Sequence, residues 1–178
     1  MDRFKITDTR GHPSETEQAA VDMTGSLSGS EQPAQLFFQL TRRLMTRFEI
    51  SKGVLLLKAN ANGPLAAIST WNNGQTRDGL AIKLPSESSL FERVAECGQV
   101  YTENFCGSFS GNFFERKLLI SEDSRSFVLH PLKHQGEVIG MIGFSSDKPT
   151  AFSLFEEGAV DEILSEFTDV IRQRLWSN

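Results

Sequence analysis

Basic charge, cysteine, tyrosine and long apolar runs are all scarce in this chain. It carries 18 Lys and Arg against 23 Asp and Glu, a net charge of −5. Nucleic-acid binding wants a clustered basic surface that displaces counterions, so no nucleic-acid partner is expected. No run approaches the roughly 20 apolar residues that span a bilayer, and no apolar signal core stands at the N-terminus. The expectation is a cytoplasmic protein without a membrane partner. Cys97 and Cys106 are the two cysteines; they cannot build a disulfide framework, and no Cys-x-x-Cys occurs. They read as free thiols in a reducing compartment. One Tyr and two Trp stand against 14 Phe, so most aromatic surface lacks a polar handle and belongs in a core or a pocket lining.

The 178 residues suffice for one domain with a real core. Residues 1–31 mix Thr, Ser, Glu, Gly and Asp without a period and read as a flexible arm. A folded domain is expected over 32–177. Pro33 opens a helix to about Phe48, with Leu36, Phe37, Leu40, Leu44, Met45 and Phe48 on one face and Arg42, Arg43 and Arg47 near its C-terminal end. Val54-Leu55-Leu56-Leu57 suits a strand buried on both faces. Leu65–Trp71 returns as a second strand, Asn72-Asn73-Gly74 turns, and Leu80–Leu84 forms a third. Ser86 or Ser88 can cap a helix carrying Leu90, Phe91, Val94 and Ala95, which stops at Gly98.

Residues 102–125 are the least regular stretch, and loops of that length in a compact domain are usually functional or partly folded. Phe127–Leu132 and Glu137–Phe144 read as a hairpin turning at Gln135-Gly136. The last helix is expected over 153–176, opened by a Ser153/Glu156 capping box, with Val160, Ile163, Leu164, Phe167, Val170, Ile171 and Leu175 in its stripe. This order implies an α+β fold with an antiparallel sheet.

Patterns for catalysis are missing. Gly107-Ser108-Phe109-Ser110-Gly111 has Phe where a nucleophile elbow needs its nucleophile, and it lacks the Lys of a phosphate loop. His130 and His134 are four apart, but on a strand that is about 13 Å, too far to share a metal. No catalytic or metal-binding residue is assigned.

The stretch Ser126–Gly140, with Pro131-Leu132, a Gly136 turn and Val138-Ile139-Gly140, resembles the most recognisable part of the GAF family. Pro131 marks a strand edge or bulge, and Gly140 and Gly143 keep one sheet face low for a helix or ligand. Leu84-Pro85, Ser88, Leu90, Val94 and Cys97–Tyr101 are similar to the family's strand, cover helix, glycine turn and short strand. The likeness covers roughly residues 33–176. It implies a GAF-like (profilin/PAS-like) sheet with N- and C-terminal helices packed on one face and a pocket on the other, in a non-catalytic sensory or regulatory module. PAS domains share the architecture without this Pro-Leu hairpin.

Subfamily marks are missing. Asn112, Phe113, Phe114 and Glu115 echo the cyclic-nucleotide signature in composition only, and neither cysteine adjoins a His as bilin attachment requires. The free methionine sulfoxide reductase branch places its cysteines differently from Cys97 and Cys106. No cofactor is named.

Within the resemblance, Phe105, Phe109, Phe113, Phe114 and Arg116 are the pocket candidates of the long loop, suited to a planar or anionic ligand. Trp71 and Tyr101 could add polar contacts, and His130 could floor the pocket. The alternative is that these phenylalanines plug the cavity themselves. The breadth of the terminal-helix stripes, with Phe37 beside Phe38 and Trp176 at the end, leads us to expect a homodimer through those helices that signals to a separate protein. The competing expectation is that Val21, Met23 and Leu27 of the arm cover the surplus.

Overall fold

Pro33 stands in the first turn of the first helix, where its missing N–H is no loss, and α1 runs Pro33–Leu44. The computed structural model describes residues 33–60, 62–77, 80–104, 107 and 109–175. The expected arm 1–31, Phe105, Cys106, Ser108 and Trp176 lie outside the described residues. α1 ends four residues early, in a turn closed by the Phe48 N–H on the Leu44 carbonyl at 2.9 Å. The turn brings Phe48 back into the core and leaves Met45, expected on the buried stripe, exposed.

The strands are β1 (Lys52–Lys58), β2 (Leu65–Asn72), β3 (Gln75–Arg77), β4 (Ile82–Lys83), β5 (Tyr101–Glu103), β6 (Ser126–His134) and β7 (Glu137–Ser146). They form one sheet in the order β3-β2-β1-β7-β6-β5, with β4 also on β2. Every pairing is antiparallel. Asn73 and Gly74, both at positive φ, make the primed turn into β3, a hairpin the sequence pattern did not announce. The expected third strand shrinks to β4, where Ile82 is exposed. Gln135-Gly136 turns the β6–β7 hairpin with both residues at positive φ, as expected.

Because successive side chains alternate, the apolar run of β1 feeds two cores. Leu55 and Leu57 join Phe37, Leu40, Leu44, Phe48, Phe144 and Phe155 on one face. Val54 and Leu56 join Leu65, Phe91, Phe127, Leu129 and Met141 on the other. The Phe37 and Phe144 rings stack at 5.8 Å, and a Cβ at Gly53 would collide with both.

The first face is covered by α1 and the C-terminal helices, as expected. The last helix is not continuous, however. α4 (Ser153–Glu156) and α5 (Asp161–Leu175) are separated by a turn at Gly158. No side-chain cap forms at α4, so the Ser153/Glu156 capping box is corrected. Ahead of the break, Phe152 and Phe155 pack edge-on at 5.6 Å and both lie against Phe48, just past the end of α1.

The second face is covered by α2 (Leu90–Cys97) and α3 (Phe113–Leu119). Ser89, rather than Ser86 or Ser88, caps α2, and Gly98 ends it in the left-handed conformation. α3 lies inside the stretch expected to be irregular. Lys52 Nζ donates to the Lys117 and Ile120 carbonyls at its C-terminal end, at 2.9 and 3.2 Å, answering orphan acceptors there. A Cβ at Gly143 would press on Leu119 of α3 at 3.1 Å: this glycine admits a helix, as its position on the sheet implied.

Candidate functional site

α3 opens with Asn112-Phe113-Phe114-Glu115, and two different forces act on those four side chains. Asn112 and Glu115 cap each other's backbone N–H groups in a capping box. That fold of the backbone sends Phe113 and Phe114 outward, 65% and 54% exposed, and Glu115 inward at 0%. The Glu115 carboxylate accepts from the Ser89 hydroxyl, from the Leu90 and Phe91 N–H groups at 2.9 and 3.1 Å, and from the Asn112 N–H at 3.1 Å. A buried carboxylate needs such a set of donors, and here they include the N-terminus of α2, whose dipole favours an anion.

The segment before α3 is clamped to the same place. Asn112 Nδ2 donates to the Pro85 and Glu87 carbonyls at 3.1 and 3.3 Å, and Arg93 to the Ser110 carbonyl at 3.1 Å. Gly111 has no room for a side chain, because a Cβ there would meet the Glu115 carboxylate and stand 2.5 Å from the Phe109 ring. Phe109 in turn lies on Phe127 at 5.5 Å, and Tyr101 stacks on Phe127 at 5.9 Å. The chain's own carboxylate and aromatic rings therefore occupy this face of the sheet between α2, α3 and β6.

The expected pocket residues scatter. Phe109 and Tyr101 meet over Phe127 on the expected face. Phe113, Phe114 and Arg116 are exposed on the outer side of α3, with Lys117 Nζ 5.4 Å from the Phe113 ring centre. Trp71 faces the other way, against Phe38 of α1 at 5.5 Å, because the bulge in β2 opposite Leu55 and Leu56 shifts the alternation after Ala67. Phe105 lies outside the described residues. His130 also sits on the terminal-helix face, one residue out of phase with Leu129.

There His130 borders a cleft of about 300 Å³ between β6 and α5, whose wall includes Gly98, Val100, Lys133, Asp161, Leu164, Ser165 and Thr168. Its Nδ1 lies 2.9 Å from the Pro131 carbonyl and its Nε2 3.7 Å from Asp161 Oδ1. Burial lowers its pKa from the ordinary value; the Pro131 carbonyl and Asp161 act in the opposite direction, and Lys133 reinforces the drop. His134 instead faces Asp169, Nδ1 to Oδ1 at 3.3 Å. An open groove of about 460 Å³ also runs along α2 beside Lys58, Lys83 and Glu96, and none of the expected residues lines it.

In the sequence Glu115 stands only as an echo of a subfamily signature, and no role is assigned to Lys133 or Asp161. An Asn-x-x-Glu capping-box pattern was present to mark the first. Nothing local marks the other two: Lys133 follows His130 on β6, and Asp161 meets it only through the fold.

No family model matches the sequence, and no curated protein matches it. Solved structures do. The GAF domain of a phosphoenolpyruvate-protein phosphotransferase from Coxiella burnetii is similar over 89% of this chain and 94% of its own, with TM-score 0.62 and 15% identity. The GAF domain of a two-component sensor histidine kinase from Bacillus halodurans is similar over 83% and 96%, at 0.61 and 17%. A type II free methionine-R-sulfoxide reductase from Thermoplasma acidophilum is similar over 90% and 96%, at 0.53 and 17%. An antiparallel sheet with both terminal helices on one face and two short helices on the other defines the class. The chain has the GAF-domain fold. No helix among the described residues is long and apolar enough to cross a membrane.

Proposed function

We propose that this protein is a non-catalytic regulatory GAF module of the cytoplasm that assembles as a homodimer through α1 and α5 and signals to a separate partner. The observation that carries the reading is the difference between the two sheet faces. On the α2–α3 face, Glu115, Phe109 and Phe127 fill from within the space where a ligand would enter. On the other face, α5 buries Leu164, Phe167 and Ile171 but leaves Ile163 and Val170 half-buried beside Leu36 and Leu40 of α1. Two residues seven apart form a seam along a helix, the spacing that pairs helices across a two-fold axis.

The likeness to the GAF domains of a sensor histidine kinase and of a phosphoenolpyruvate-protein phosphotransferase supports the regulatory role. The likeness to a reductase does not displace it, because Cys97 stands exposed at the end of α2.

Sedimentation velocity of the full chain between roughly 1 and 50 µM, the range of a weak specific interface, tests the assembly. A dimer is expected, and the paired substitution Ile163→Gln with Val170→Gln should return it to monomer with its circular dichroism intact. A wild-type chain that stays monomeric throughout that range overturns the reading.

A further inference from the structure

We propose that the cleft between β6 and the first two turns of α5 binds a small ampholyte, with an ammonium group at one end and a carboxylate at the other, an aliphatic α-amino acid being the simplest. This goes beyond the assembly reading and holds whether or not two chains pair.

The ammonium end follows from His130. A carbonyl only accepts, so the 2.9 Å contact with Pro131 places a proton on Nδ1 and leaves Nε2 with a lone pair. That lone pair faces Asp161 Oδ1 at 3.7 Å. Burial lowers the pKa of the ring, and in its neutral form Nε2 and the Asp161 carboxylate, whose side chain is 68% exposed, face each other as two acceptors. A group carrying several N–H donors, entering from the cleft, satisfies both.

The carboxylate end follows from Lys133. Its ammonium lies over Gly98, 3.4 Å from where a Cβ would stand, and it borders the same cleft as His130 and Asp161. A plain cation meets repulsion there, whereas an ampholyte offers each pole its opposite. Val100 and Leu164 supply an apolar wall for a short aliphatic body. The volume of about 300 Å³ is at the small end of ligand sites.

Two glycines build the cleft. Gly98 turns at φ 65 and leaves the Lys133 chain room. Gly158, at φ 73, admits the Asp161 carboxylate, whose Oδ2 would be 2.9 Å from a Cβ there. Both φ values belong to the left-handed region where glycine is at ease.

The test is a ¹⁵N-HSQC titration of the full chain with L-alanine, L-valine and L-leucine, and with isoamylamine and 4-methylvalerate, which carry leucine's body with one charge each. We expect at least one amino acid to shift the amides of residues 98–100, 130–133 and 161–168 saturably. The two single-charge probes should bind about tenfold more weakly or worse. Asp161→Asn and Lys133→Met should each weaken binding by a similar factor while the remaining spectrum stays folded. The proposal is overturned if no amino acid moves those peaks by about 10 mM, or if the amine or acid binds as tightly. Substitutions without effect, or shifts confined to α2, α3 and Phe127, overturn it as well. Sedimentation reads the dimer separately, so either idea can fail alone.

Discussion

Glu115 of α3 and Leu90 of α2 are joined by a hydrogen bond of 2.9 Å from the Leu90 N–H to Oε2, and 25 residues separate them in the chain. With the bonds from Phe91 and Ser89 it ties the two helices together, and it uses an acceptor buried at 0% exposure. Removing that acceptor strands the Leu90, Phe91 and Asn112 N–H groups in a dry site. Each unmet donor costs about 1–3 kcal/mol. Glu115→Ala should therefore lower unfolding stability by about 3 kcal/mol or more in urea titrations, and Glu115→Gln by less, since its amide oxygen still accepts. Hydrogen exchange of Leu90 and Phe91 should accelerate in both. A loss below about 1 kcal/mol for the alanine variant would mean the carboxylate is not what closes this face.

Phe109, Phe113 and Phe114 do not act alike. Replacing both Phe113 and Phe114 with Ala should change stability by no more than about 0.5 kcal/mol, as for other exposed sites. Phe127→Ala, beneath Phe109 and Tyr101, should cost about 3–5 kcal/mol. Equal losses for the two variants would place the outer rings of α3 in a core they do not touch.

His130 makes stability depend on pH. Its folded pKa is depressed by burial, while the unfolded side chain titrates near 6.5. Below that value the unfolded state takes up the proton first. The His130 contribution is thus fully present above about pH 6.5 and is lost as pH falls toward the lower folded value, by at most about 1.4 kcal/mol per pH unit. Asp161 and the Pro131 carbonyl limit the effect, and Lys133 enlarges it. His130→Gln should flatten the stability profile between about pH 7 and 5 relative to the wild type. Parallel profiles would contradict a neutral buried ring.

Gly140 lies against the neighbouring strand itself. A Cβ there would collide with the Leu56 carbonyl and stand 2.8 Å from Leu57 Cδ2, next to the bulge that leaves Ile139 unpaired with β6. Gly140→Ala should cost about 1–3 kcal/mol, the usual penalty of overpacking, as a lower melting temperature. Gly136→Ala meets no atom within 4 Å and suffers only from its positive φ, so its loss should be the smaller.

Local pattern alone determined much of this protein. The all-apolar run of β1 announced a strand buried on both faces, Gln135-Gly136 announced the hairpin, and the stripes of α1 and α5 announced that both helices share one face. Those features depend on residues close in sequence, where periodicity and turn chemistry act directly. Tertiary structure decided the rest. Whether Phe109 points inward and Phe113 outward was settled by the capping box that rotates α3 and by the donors at the start of α2. The face taken by His130 followed from its phase relative to Leu129, and Asp161 meets it from the start of α5, after the turn at Gly158. Such encounters bring together residues about 30 apart through packing of a sheet against helices, and no local propensity encodes that distance.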